Sequence, residues 1–208
     1  TTYRAGHDVT MKEGAVFEAD VLADAERFET GAPGRRLSWR RWGDDARGEC
    51  PLVLLPGGFG SWRHWARNVR RLARHLPTYC LELPGLGDSD DFQDEHSAES
   101  IANRLVEALR AHFADRRFHL AGFSFGGIMG GLVARAIPES VESLCVVGSN
   151  GLGLPIATLA MVKPRRDMSA AELWETHRTN LAVLMLADRS VADDVLSLIH
   201  ISEPTRPC

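Results

Sequence analysis

The chain has 208 residues with 44% hydrophobic and 25% charged positions, the make-up of one soluble globular domain able to bury a core. Its formal net charge of -4 gives no electrostatic reason to expect nucleic acid or an anionic membrane as partner, and no apolar run reaches membrane-spanning length. Cys50, Cys80, Cys145 and Cys208 show neither metal-ligand nor C-x-x-C spacing, and the first thirty residues lack a secretory pattern, so buried thiols in a reducing, cytoplasmic setting are expected.

Residues 1–35 are polar with short apolar groups such as Ala15-Val16-Phe17, which predicts a tail or a peripheral helix. Arg36 to Trp42 alternates roughly and stops at Gly43-Asp44-Asp45, the pattern of an outer strand. Pro51 to Leu55 is a continuous apolar run, as in a parallel strand covered on both faces, and it leads directly into Pro56-Gly57-Gly58-Phe59-Gly60-Ser61. Trp62, Trp65, Val69, Leu72 and Leu76 then recur at helical spacing, leaving Arg63, Arg67, Arg70, Arg71 and Arg74 on a solvated face. Thr78 to Leu83 reads as the next strand, closed by the turn formers of Pro84 to Asp90. Ile101, Leu105, Ala108, Leu109 and Phe113 define an amphipathic helix with Ser97 as its N-cap.

Phe118 to Ala121 is a short strand that runs into Gly122-Phe123-Ser124-Phe125-Gly126, a G-x-S-x-G sequence, and helical spacing resumes at Ile128, Leu132, Val133 and Ala136. A serine hydroxyl is a weak nucleophile at neutral pH, so it must be presented to a base and beside donors for the negative charge that develops on the attacked carbonyl. A sharp strand-to-helix turn does this, provided the residues two before and two after the serine lack side chains. Ser143 to Val147 is a further strand with buried character. Beyond Gly151 the pattern is helical only, and Ser169-Ala170-Ala171-Glu172 is a capping box that opens a helix carrying Leu173, Trp174, His177, Leu181, Leu184 and Met185.

Strands alternating with helices predict an α/β fold with a doubly wound, mostly parallel sheet, whose chemistry lies at the carboxyl ends of the strands. Glycine-rich loops fall on three of those ends, at Gly57, Gly85 and Gly122. In that order and context they resemble the alpha/beta-hydrolase superfamily of the serine-nucleophile type, over about residues 36–151. The resemblance implies that Ser124 attacks, that the amides of Gly58 and Phe125 hold the oxyanion, and that Phe59 flanks the acyl pocket. It implies a small, largely apolar ester, lactone or related carbonyl substrate, with no metal or organic cofactor and no nucleic-acid or membrane partner. Carbon-carbon bond hydrolases, perhydrolases and acyltransferases share the scaffold, and a non-catalytic ligand-binding relative is the alternative.

The sequence departs from the family pattern in places. Pro56 stands where the family often has a histidine, Glu82 where aspartate is frequent, and Asn150 where some members place an acid. The resemblance also predicts two more strands, carrying the triad acid and histidine, which this chain lacks. The expected organisation is therefore a tail at 1–35, a hydrolase core at 36–150, a partial helical cap at 151–195, and a non-native tail at 196–208 that is similar to a translated sequencing-library adapter. None of the histidines offers itself as base: His64, His75 and His112 go with helices, His119 alternates into a central strand, and His177 lacks an acid partner. The chain on its own is expected to be catalytically disabled.

Overall fold

The computed structural model describes residues 14–95, 97–151, 153, 160–165 and 167–185. Val21–Leu154 form one compact unit. Helical backbone over 14–22 (α1) turns into it and leads to β1 (Glu26–Thr30) and β2 (Leu37–Trp42). There follow β3 (Leu52–Leu55), a short α2 (Val69–Leu72), β4 (Thr78–Leu81), α3 (Ala98–Phe113), β5 (Phe118–Phe123), α4 (Phe125–Ala136) and β6 (Val141–Val147). The described residues outside this unit include α5 (Ala170–Met185), opened by the capping box as the sequence predicts. There the Ser169 N–H donates to Glu172 Oε2 at 2.8 Å and the Glu172 N–H to Ser169 Oγ at 3.3 Å. No helix among the described residues is long and apolar enough to cross a membrane.

The six strands lie in the order β1-β2-β4-β3-β5-β6, parallel from β4 through β6 and antiparallel where β2 meets β1 and β4. From β3 the chain steps to one side to make β4, then returns to the other side to make β5. The order therefore reverses between β3 and β5, where Leu54 pairs with Ala121 and Leu55 with Gly122, and the loops leaving these two strands open a crevice. The expected doubly wound, mostly parallel sheet is present.

Alternation along the strands divides the core into two layers. On one face Leu37, Trp39, Val53, Leu55, Tyr79, Leu81, Phe118 and Leu120 pack with α3 and α4 through Leu105, Leu109, Phe113, Met129 and Val133. The other face carries the buried Trp42, Leu54 and Cys80, and Trp42 meets Trp62 with ring centroids 5.9 Å apart. Ser97 caps α3 as expected, accepting from the Ser100 N–H at 3.1 Å.

Four sequence expectations need correction. The strand at 37–42 is not outermost, because Glu26–Thr30 adds an edge strand beside it within the segment read as tail or helix. The arginine-rich stretch is not one helix but a 3-10 turn at Trp62–Trp65 followed by α2, since the first turn is bent toward the sheet by its two tryptophans. β6 is apolar yet exposed along much of its length, with Leu144 and Val147 open to solvent, because among the described residues it is the sheet edge. For the same reason Cys145 is exposed, while Cys80 is buried as expected.

Candidate active site

β5 stops at Phe123 and α4 starts at Phe125, so one residue carries the reversal. That residue is Ser124, at φ 51 and ψ -120, a conformation costly for any residue with a Cβ. Both flanking glycines are sterically required. A Cβ on Gly122 would lie 2.2 Å from the Gly126 carbonyl oxygen, and one on Gly126 would lie 2.4 and 2.5 Å from those of Pro56 and Leu55. The strained main chain is held from three sides: the Ser124 N–H donates to the Val147 carbonyl at 2.9 Å, and its own carbonyl accepts from Ser149 Oγ at 2.6 Å and the Gly127 N–H at 2.9 Å. The serine heads α4 without a side-chain capping bond, so its hydroxyl is not spent on the helix. Around it the first amides of α4 have no intrahelical acceptor and form a local positive pole.

The loop after β3 is a tight turn closed by the Gly60 N–H donating to the Gly57 carbonyl at 3.3 Å, with Phe59 third in the turn at φ 59. That slot usually takes glycine, yet here it holds a phenylalanine that is 76% exposed. Gly58 is brought beside the elbow: a Cβ on it would lie 3.5 Å from the Phe125 Cβ. The sequence-derived set of Ser124, Gly58, Phe125 and Phe59 thus lies on two neighbouring loops.

Sequence reasoning missed two supports. Ser149, in the loop after β6, holds the elbow carbonyl. His64 had been grouped with a helix, but its Nδ1 accepts the Gly57 N–H at 3.0 Å and its ring meets that of Phe123 edge-on, centroids 5.3 Å apart at 82°. Spacing alone gives no signal for either residue, since both act on main-chain groups that only the tertiary fold brings near.

Beneath the loop after β4 lies a buried ionic cluster. Arg40 Nη1 is 3.1 Å from Glu82 Oε1 and its Nη2 is 2.5 Å from Asp88 Oδ2, with the guanidinium 5.3 Å above the Trp62 ring. Glu82 also accepts the Asp88 N–H at 2.7 Å, so this carboxylate ties the loop after β4 to β2. Burial pushes the Glu82 carboxyl above its usual range, against the opposing pull of Arg40. Asp88 suffers burial too, but the Arg40 hydrogen bond and charge win, and its carboxyl is held low.

The remaining histidines do not reach the serine. His119 contacts Ser143 Oγ at 2.8 Å between β5 and β6, which satisfies it, and His112 lies among Phe28, Trp39 and Tyr79, where burial lowers its proton affinity. Among the described residues no histidine hydrogen-bonds the Ser124 hydroxyl. His7, His96 and His200 lie outside the described residues, as does the segment read as an adapter remnant at 196–208.

Comparison with known proteins agrees with this geometry. Residues 52–204 match the model of the Alpha/beta hydrolase family. The chain belongs to that family. This alpha/beta hydrolase is 33% identical over 145 residues to the dihydrolipoyllysine-residue acetyltransferase component of an acetoin cleaving system of Pseudomonas putida, covering 66% of this chain and 38% of that protein. It is 31% identical over 116 residues to a pimeloyl-[acyl-carrier protein] methyl ester esterase of Yersinia pseudotuberculosis, covering 56% and 42%. Among solved structures it is similar to a membrane phospholipase A described as a bacterial virulence factor, with 28% identity, a TM-score of 0.60, and coverage of 76% of this chain and 51% of the other. The hydrolase chain thus spans about two fifths to one half of the length of the proteins it matches.

Proposed function

We propose that the protein is a serine hydrolase that cleaves a small, largely apolar ester, lactone or related carbonyl compound through an acyl-enzyme on Ser124. The observation that carries the reading is the strained, uncapped serine at φ 51 on an elbow whose flanking glycines admit no side chain. In this mechanism the Ser124 oxygen adds to the substrate carbonyl and its proton passes to a base. The carbonyl oxygen becomes an oxyanion held by the Gly58 and Phe125 amides, and the alcohol leaves with a proton. Water then attacks the acyl-enzyme and releases the acid. Phe59, exposed beside the crevice, contributes an apolar wall for the acyl chain. The esterase and phospholipase among the similar proteins favour an ester over the other carbonyl compounds handled on this scaffold.

A second reading, a ligand-binding relative without catalysis, draws on the lack of a described histidine beside Ser124. The same observation leads to the expectation that this chain alone turns over ester far below ordinary enzyme rates. Loss of a triad base costs on the order of a millionfold, with a remnant supplied by the oxyanion site. Labelling with a fluorophosphonate probe followed by peptide mapping tests the hydrolase reading. An adduct on Ser124, absent from Ser124→Ala, is expected to form over hours; a probe that ignores Ser124 or marks other serines equally would leave the binding reading in place.

A further inference from the structure

The loop after β3 must present one amide to the oxyanion and satisfy the next one elsewhere. Pro56 has no N–H, so Gly57 and Gly58 carry the first two donors of the loop. The Gly57 N–H is taken up by His64 Nδ1 at 3.0 Å, from a turn that begins four residues after Gly58. For Nδ1 to accept, the imidazole must be neutral with its proton on Nε2.

The ring is enclosed as well as bonded. A Cβ on Gly60 would lie 1.9 Å from His64 Cε1, and one on Gly57 would lie 3.3 Å from the same atom, so both glycines make room for the imidazole. On its far side the ring meets Phe123, the residue before the nucleophile. The turn that carries His64 is itself fixed to the sheet, because the Trp65 indole N–H donates to the Leu55 carbonyl at 3.2 Å and the Trp62 N–H points to Glu82 at 3.5 Å. One side chain therefore touches the oxyanion loop at two positions and the elbow at a third.

We propose that His64 is a positioning residue: by holding the Gly57 N–H it sets the turn at Gly58 and Phe59 and leaves the Gly58 amide facing the oxyanion position beside Phe125. This rests on the hydrolase reading of the same site. The imidazole does not touch the reacting atoms and gives up no proton in the reaction; it fixes the direction of a donor whose misplacement weakens oxyanion stabilisation.

The test uses the 208-residue chain and two substitutions, His64→Leu, which removes the acceptor, and His64→Asn, whose amide oxygen can stand where Nδ1 stands. Amide hydrogen exchange by NMR reads the contact without reference to chemistry, and the rate of fluorophosphonate labelling of Ser124 reads the site. In His64→Leu, Gly57 exchange should rise at least about tenfold while the β3 and β5 amides stay protected, and labelling should slow by about 10- to 100-fold. In His64→Asn both should return most of the way. Gly57 exchange that ignores His64, or an Asn variant as impaired as the Leu variant, overturns the proposal even where Ser124 is labelled. If Gly57 exchange follows His64 as described and Ser124 is never labelled in any variant, the contact stands and the hydrolase reading is what fails.

Discussion

At Gly126 a single hydrogen atom decides how closely α4 can approach the end of β3. Alanine there would gain about 1 kcal/mol of helix propensity, but its methyl group would meet two main-chain carbonyls at 2.4 and 2.5 Å, and neither can rotate away. Overpacking of this kind costs about 1–3 kcal/mol, so the clash is the larger effect. Gly126→Ala should lower the urea midpoint, by about 1–2 kcal/mol net, and slow the labelling of Ser124 by moving the loop after β3 away from the elbow. An unchanged midpoint would mean that the two elements are not in contact there. This much of the site was legible in the sequence, because G-x-S-x-G encodes a local steric rule. His64 and Ser149 were not legible, since each binds a main-chain group far along the chain and any residue type can supply such a group.

Among the elements, the ones read correctly are those whose neighbours lie on both faces or whose caps are local: β3, β5, α3, α4 and the capping box of α5. The failures have physical causes. β1 is Glu-Arg-Phe-Glu-Thr, a charged edge strand with one solvent-facing side, which looks like a loop until β2 pairs with it. The tryptophans of the turn at 62–65 repeat at helical spacing, yet they serve to anchor the turn on the sheet. Glu82 was seen only as a departure from the family pattern, whereas the fold makes it the buried carboxylate that joins β2, the tryptophan turn and the loop after β4. Replacing its partner, in Arg40→Leu, leaves that carboxylate without its cation at 1% exposure and should cost about 3–5 kcal/mol near neutral pH. The sign with pH follows from its raised proton affinity: the native state holds the proton more tightly than the unfolded chain, whose carboxyl titrates near 4.5, so stability falls as pH rises through and above that value. The Arg40→Leu deficit should therefore shrink when Glu82 is protonated. Urea unfolding of both proteins at about pH 7 and about pH 4.5 checks this, and a deficit that stays constant would remove Glu82 as its source.

Across the whole molecule, the acid response is set by carboxylates that tie distant segments together, and most of them act against Glu82. Asp45 pays for burial but is pulled down by hydrogen bonds from Arg116 and Tyr79, joining the turn after β2 to β4 and to the start of β5. Asp88 is held down by Arg40. Asp90 goes furthest: the Arg36 side chain at 3.1 Å and its N–H at 2.9 Å bring the carboxyl to about 2, locking the loop after β4 onto the start of β2. A carboxyl lowered in the folded state adds stability that is complete above its unfolded value, 3.8, and is lost as pH falls toward the folded one. Three groups of this sign against one of the other predict that the unfolding temperature drops as the solution is acidified below about pH 4. Asp90→Asn removes the titrating group while keeping a side chain of the same shape. Its unfolding temperature should lie below that of the parent at pH 5 and vary less with pH from there down, so that the two curves, followed by circular dichroism, converge near pH 2. Parallel curves over that range would show that the Arg36 contact contributes no proton-linked stability and that acid sensitivity arises elsewhere in the chain.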